Sequence, residues 1–406
     1  MSDATAQGDA RQSWRFLLLY ALAWAGSAIA YVPFLTVLLP VRVTELAGTG
    51  DVRMLGFLTF GGAIAASIAN IGFGWLSDWT GHRRVWIAIG LVGNVALLLM
   101  VPAAQGLVEL LAIILGWQLA LNMMMAPLAA WAGDYVPDGQ KGLLGGLMAF
   151  APAAGAITTA FVTIPGLAGP DERLWIVAAI VLTCVAPVLI FGAPTQFPEL
   201  LRDDLGGPAE AVDAAKPVKR MWAARLAVQV AEAALFAYLL YWFRSIDEGV
   251  TDAEVARIFG FVLAAAVPLA LLSGRWADRA GRPILPLAIC AFIAAIGLSA
   301  MALASGVASG LALALAGYVV FGLAATVFLS LHSSQTLRVL PRARHRGRDL
   351  GFFNLTNTVP SLVMPWLTIA IVPVFGYSGL MALLAALALV ACGLLASTGR
   401  ALIRRN

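Results

Sequence analysis

Charge is what this chain has least of. Asp, Glu, Lys and Arg make up 12% of its 406 residues, about half the roughly 25% that a soluble domain carries. So little charge cannot dress a water-facing surface, and a soluble enzyme, a nucleic-acid-binding protein and a disordered scaffold are excluded on that ground. Cysteine is almost as scarce. Cys184, Cys290 and Cys392 stand apart inside apolar runs, with no CxxC spacing and no clustered histidines, so neither a disulfide framework nor a metal site is indicated. There is no GxxxxGK[ST] phosphate loop and no soluble segment to hold a nucleotide, which excludes an ATP-driven pump. No catalytic residues and no cofactor are expected. What is abundant is apolar surface, with 61% hydrophobic residues and a mean hydropathy of +0.88. These values describe a polytopic membrane protein whose first partner is the lipid bilayer.

A helix needs about 20 apolar residues to cross about 30 Å of hydrocarbon. That ruler predicts twelve spans in an all-α chain, near 14–40, 54–77, 84–104, 106–133, 143–165, 173–194, 221–243, 254–275, 283–304, 308–337, 350–373 and 376–398. Turn and charge signals mark the breaks, among them Gly48-Thr49-Gly50-Asp51 and Pro137-Asp138-Gly139. The residues before Trp14 are acidic and polar, unlike a basic leader, so the first span reads as a retained helix. An even count places both termini on one side. Of the 26 Lys and Arg residues, 21 gather on that side, leaving Arg42, Arg53, Arg173, Arg244 and Arg257 opposite. The positive-inside rule then predicts cytoplasmic termini in an inner or plasma membrane, and the basic pI of 9.1 reflects topology rather than nucleic acid.

The hydrophilic stretch 195–220 divides the spans six and six, giving an N-terminal bundle 1–194, a cytoplasmic central loop 195–220 and a C-terminal bundle 221–406. The halves echo each other. Gly74-Trp75-Leu76-Ser77-Asp78-Trp79-Thr80-Gly81-His82-Arg83-Arg84 returns 200 residues later as Gly274-Arg275-Trp276-Ala277-Asp278-Arg279-Ala280-Gly281-Arg282-Pro283. Val136-Pro137-Asp138-Gly139-Gln140-Lys141-Gly142 is matched by Leu340-Pro341-Arg342-Ala343-Arg344-His345-Arg346-Gly347. Such a duplication is the parallel-repeat plan of a rocker-switch transporter with its solute site between the halves, and it argues against a channel.

The duplicated GxLxDxxGxRR loop resembles the signature of the major facilitator superfamily, and the resemblance covers essentially the whole chain. In that loop Gly74 and Gly274 allow close helix approach, while Gly81 and Gly281 permit a tight reversal. Asp78 and Asp278 can pair with loop arginines such as Arg83, Arg84 and Arg282, or cap a helix N-terminus. The resemblance implies that these contacts latch the cytoplasmic side in one conformation; the plainer reading is a solvated topology loop. Asn122, Pro127, Ala130, Asp134, Val136, Pro137, Gln140, Lys141, Gly142 and Gly146 resemble the helix 4–5 pattern of glycoside–pentoside–hexuronide symporters and plant-type sucrose carriers. The second span lacks the embedded aspartate of their sodium-handling members, its one strongly polar interior residue being Asn70.

An ionisable group inside a span is expensive, about 2.5–3.5 kcal/mol on insertion scales, and is a functional hypothesis by default. Away from span ends one carboxylate remains, Glu232. With a helix start near Met221 it falls near the midplane, and Arg225, Gln229, Glu232 and Phe236 share one helical face. A carboxyl alternating between protonated and ionised forms is what proton coupling requires. A solute hydrogen bond, a static brace or a permanent ion pair with Arg225 are the other readings. His332 is a candidate proton partner, against the commoner packed histidine. Tyr20, Trp24 and Tyr31 on span 1, Gln118 and Asn122 on span 4, Ser333 and Gln335 on span 10, and Asn354 and Asn357 on span 11 are candidate solute contacts. Aromatic faces with neutral amides and hydroxyls suit a sugar, although aromatic belts and helix–helix glue use the same residues.

The sequence therefore supports a secondary transporter driven by a proton gradient, acting as a monomer on a small-molecule solute. Symport of a sugar or glycoside-like solute is the first reading. A proton antiporter exporting amphiphilic compounds is the second, favoured by Met123-Met124-Met125 as an adaptable apolar surface. A non-transporting membrane sensor is the third, and Glu232 with the retained Asp and Arg loops argues against it.

Overall fold

Twelve rods account for nearly all of the described residues. The computed structural model describes residues 11–47, 51–201, 208–250, 252–307, 309–340 and 343–403, and side chains at 47, 51–53, 208–215, 236, 237, 240, 241, 252, 253, 256, 343, 361, 365, 369 and 400–403 fall outside what is described. The expected turn at residues 48–50 lies outside the described residues, as does the side chain of Phe236. Among the described residues there is no strand. A segment crossing hydrocarbon must satisfy its own backbone groups, and a helix does so internally. The rods are α1 Trp14–Leu46, α2 Met54–Thr80, α3 Arg83–Ala103, α4 Leu107–Tyr135, α5 Asp138–Val162, α6 Pro170–Phe191, α7 Pro208–Ile246, α8 Asp252–Ala280, α9 Leu285–Ala304, α10 Gly310–Val339, α11 346–375 and α12 377–403.

Among the described residues ten helices are long and apolar enough to cross a membrane. Several expected limits move, two of them helix starts that shift by five residues or more. The seventh helix begins at Pro208, not near Met221, so half of the 195–220 connection is helical. The fifth begins at Asp138, ahead of the expected 143. Between α11 and α12 the chain turns at Gly376, whose φ of 66° is the left-handed conformation that glycine tolerates. Helix α1 opens with the Ser13 hydroxyl accepting the Phe16 amide at 3.3 Å. Pro33 inside it is followed by a π-helical turn, Phe34–Leu38, a recognised source of local bending.

The chain forms two units. Unit 1 is Met1–Pro137, Phe150–Asp204 and Arg342–Asn354, and unit 2 is Asp138–Ala149, Leu205–Pro341 and Leu355–Asn406. Each unit thus takes in one short segment from the other half of the sequence. Inside each, the corresponding helix pair is closed by glycine. In unit 1 a Cβ on Gly90 of α3 would run into the α4 backbone at Ala120 to Met124. In unit 2 a Cβ on Gly297 of α9 would meet the Gly317 carbonyl and Phe321 backbone of α10 at 2.6 Å. Between lipid-solvated helices there is little hydrophobic drive, so close backbone approach over small residues supplies the packing.

Candidate functional site

The first constellation lies in unit 1, where the end of α2 meets the start of α11. Asp78 accepts the amide hydrogens of Gly347 and Arg348, both at 2.9 Å. These amides belong to the first turn of α11, whose orphan N–H groups and helix dipole favour a carboxylate. Arg83 Nη2 stands 2.9 Å from the same carboxylate. The Arg83 guanidinium also pairs with Asp134 through Nε, and its Nη1 donates to the Ser77 hydroxyl at 2.9 Å. Arg346 Nη1 reaches the other Asp134 oxygen at 2.6 Å, and its Nη2 donates to the Leu200 carbonyl at 3.1 Å. Two acids meet two bases, and none of the four side chains is more than 10% exposed.

Unit 2 contains the counterpart, where the end of α8 meets the start of α5. Asp278 accepts the amides of Gly142 at 2.9 Å and Leu143 at 2.8 Å. Its cation is Arg338, at 2.7 Å, which also donates to the Asp138 carbonyl. Nearby Lys141, almost wholly buried, reaches the Asp138 carboxylate at 2.5 Å. Glycines make both approaches possible. Gly74 and Gly347 face each other so closely that a Cβ on either would overlap the other's carbonyl, and Gly142 and Gly274 do the same. Gly81 and Gly281 turn the chain after α2 and α8 with φ of 68° and 60°. Arg84 is exposed and donates to the Leu189 carbonyl. Arg282 is exposed, with no carboxylate partner among the described residues. The sequence gives Gly142, Gly347 and Arg338 no gating role, although Gly142 and Gly347 stand at matching places in the second echo. For the Arg342 to Arg348 run it offers loop topology and lipid contact or gating ion pairs to Asp349 or Asp134, and Arg346 on Asp134 is such a pair.

A third constellation belongs to unit 2 alone. Arg225 on α7 donates through Nε to the Gln229 side-chain oxygen at 3.1 Å, through Nη1 to the Ser333 hydroxyl at 2.9 Å and through Nη2 to Asn357 Oδ1 at 3.4 Å. Gln229, Ser333 and Asn357 are thereby brought together around one guanidinium. Glu232 is half-buried two turns along α7 from Arg225. It is not paired with Arg225, and among the described residues it makes neither a hydrogen bond nor an ion pair within 4 Å.

The remaining candidates are spread among packing positions. His332 is fully buried, its Nε2 3.0 Å from the Met221 carbonyl, its Nδ1 3.1 Å from the Thr336 hydroxyl and its ring against Phe328. The Tyr20 hydroxyl, fully buried, donates to the Leu128 carbonyl at 3.0 Å, and its ring stacks on half-buried Trp24. Tyr31 is half-buried, as is Asn354. Asn122 donates to the Gln118 carbonyl at 2.9 Å and accepts from Asn70 at 2.8 Å, tying α2 to α4. The buried Gln118 amide packs over Gly62. Gln335 is fully buried and both ends of its amide lack a partner among the described residues. Among the described residues no group of His, Cys, Asp or Glu could hold a metal ion.

The sequence matches the profile of the Major Facilitator Superfamily over residues 16–335 and 221–401. No curated protein matches it. Among solved structures, a bacterial homologue of the iron transporter ferroportin in its outward-facing state has a TM-score of 0.73 at 13% identity, covering 95% of this chain and 98% of its own. The human organic anion transporter MFSD10 has a TM-score of 0.72 at 13% identity, covering 94% and 99%. The E. coli fucose:proton symporter FucP has a TM-score of 0.69 at 13% identity, covering 94% and 98%. At such identity each likeness is one of fold. With its profile matched across nearly the whole length and its architecture shared with transporters, the chain belongs to the Major Facilitator Superfamily, a multi-pass membrane transporter and not an enzyme.

Proposed function

We propose that the protein is a proton-coupled symporter that imports a sugar or glycoside-like solute by alternating access, with both termini in the cytoplasm. One observation carries the proton coupling. Glu232 is a carboxylate on a polar face of a membrane helix, and no hydrogen bond or ion pair among the described residues holds it. A charge in that position is costly, and a group without a fixed partner is free to take and release a proton as access alternates. His332 has both ring nitrogens engaged, and the reading rests on Glu232. The neutral donors and acceptors of Gln229, Ser333 and Asn357 suit hydroxyl groups. The Asp78 and Asp278 clamps are the latches of the cycle, and the helix 4–5 resemblance favours a sugar.

The test is solute-triggered proton movement in liposomes with an internal pH dye, challenged with mono- and disaccharides and, in parallel, with lipophilic cations. Sugar-triggered inward proton flux is expected. Glu232→Gln should abolish pH-driven accumulation while sparing solute exchange; unchanged pH-driven uptake in that variant removes the coupling assignment. Outward proton flux triggered by lipophilic cations, with silence to sugars, makes the protein an exporting antiporter.

A further inference from the structure

Arg225 is the cation of the α7 face, and its surroundings do not match its charge. A guanidinium has five N–H donors. Three are spent on Gln229, Ser333 and Asn357, all neutral acceptors. Two donors remain without a protein acceptor among the described residues, and no carboxylate comes within 4 Å. The three largely buried arginines of the two loop clusters behave differently. Arg83, Arg338 and Arg346 each touch an Asp carboxylate. The chain therefore pairs these gating cations directly with carboxylates, whereas the direct partners of Arg225 are neutral acceptors alone, with Glu232 two turns along the same helix.

We propose that Arg225 is an anion-docking residue, and that the solute carries a carboxylate that completes the guanidinium. Gln229, Ser333 and Asn357 hold the fork in place and leave two N–H groups for a carboxylate, the geometry in which arginine is strongest. The same neutral side chains contact the hydroxyl groups of the solute. The solute class is then a hydroxylated carboxylic acid rather than a neutral sugar. This rests on the reading that the α7 face contacts the solute, and it is separable from the sugar assignment.

Purified full-length protein would be titrated with two matched pairs, glucuronate against glucose and lactate against glycerol, each pair offering a hydroxylated acid and a neutral hydroxylated comparison. The acid of at least one pair should bind, with its neutral partner much weaker. Arg225→Gln should weaken acid binding by roughly tenfold to a hundredfold, the scale of a lost charge-assisted hydrogen bond. Arg225→Lys, which keeps the charge without the fork, should fall between the two, and it decides the matter if Arg225→Gln does not fold. Lactate binding with neither hexose bound sustains the anion site and removes the sugar assignment. Glucose binding as tight as glucuronate overturns the anion site and leaves sugar symport standing. An acid preference that survives in both Arg225 variants, or no binding by any of the four, also overturns it.

Discussion

The two copies of the loop motif build one carboxylate clamp from different charges. In unit 1 the cation on Asp78 is Arg83, the first residue of α3. In unit 2 the matching position is Pro283, and the cation on Asp278 is Arg338, from the end of α10. Arg338 stands two residues before Leu340-Pro341, as Asp134 stands two residues before Val136-Pro137. The same repeat position therefore carries opposite charge. Where it is Asp134, a second base, Arg346, balances it; where it is Arg338, the counterpart of Arg346 is Lys141, which pairs with Asp138. What both copies keep is the carboxylate on two consecutive helix amides and the reciprocal glycine contact. The comparison separates the backbone geometry, which is shared, from the charges, which were rearranged as a group.

If the shared geometry is the essential part, valine at Gly74 or Gly274 should be the most damaging change, and equally so in both copies. A side chain at either position overlaps a backbone carbonyl that no rotamer change can move. The expected destabilisation is at or above the roughly 3 kcal/mol upper range of overpacking. Folded yield and the thermal midpoint of the purified protein report it. A tolerated Gly274→Val beside a damaging Gly74→Val would show that the two approaches are not equivalent.

The charges should then distinguish the copies. Asp278→Asn leaves Arg338 with the Asp138 carbonyl as an acceptor and no carboxylate among the described residues. A cost of about 2 kcal/mol is expected, discounted from the roughly 3–5 kcal/mol of fully buried pairs because Arg338 is 12% exposed. Asp78→Asn leaves Arg83 on Asp134, and about 1 kcal/mol is expected. Hydrogen exchange locates the effects, at Gly142 and Leu143 in the first variant and at Gly347 and Arg348 in the second. Equal costs would mean that Asp134 gives Arg83 no second anchor.

How much of this the sequence revealed follows from what each signal reports. Apolar runs of about 20 residues report membrane solvation directly, so the rods were legible, as was a break just before Gly376, though not the turn at that glycine. The start of α7 was not, because residues 208–220 lie outside any apolar run while Ala, Glu and Lys there still favour helix. The repeat showed that Gly142 matches Gly347, but not that each faces the motif glycine from the other half of the sequence. Neutral polar residues were least legible. Asn122 and Ser333 are of types equally suited to a solute, yet Asn122 ties α2 to α4 whereas Ser333 holds Arg225. Residue type does not distinguish those uses; only the partner does.

The smallest and sharpest effect comes from rebuilding one copy in the image of the other. Arg83→Gln alone removes the cation from Asp78 and should raise exchange at Gly347 and Arg348, although both amide bonds to Asp78 remain possible. Adding Asp134→Arg places a guanidinium at the position that Arg338 occupies in its own repeat. Adding Arg346→Gln removes the base that Asp134 had required. The triple variant then carries the charges of the Asp278 clamp, one acid and one arginine, on the backbone of the Asp78 clamp. Protection at Gly347 and Arg348 should return most of the way, a change of about 0.5–1 kcal/mol, the scale of one net hydrogen bond. Protection that stays at the level of Arg83→Gln would mean that the two helix ends differ in backbone as well as charge, and that the clamps are not interchangeable.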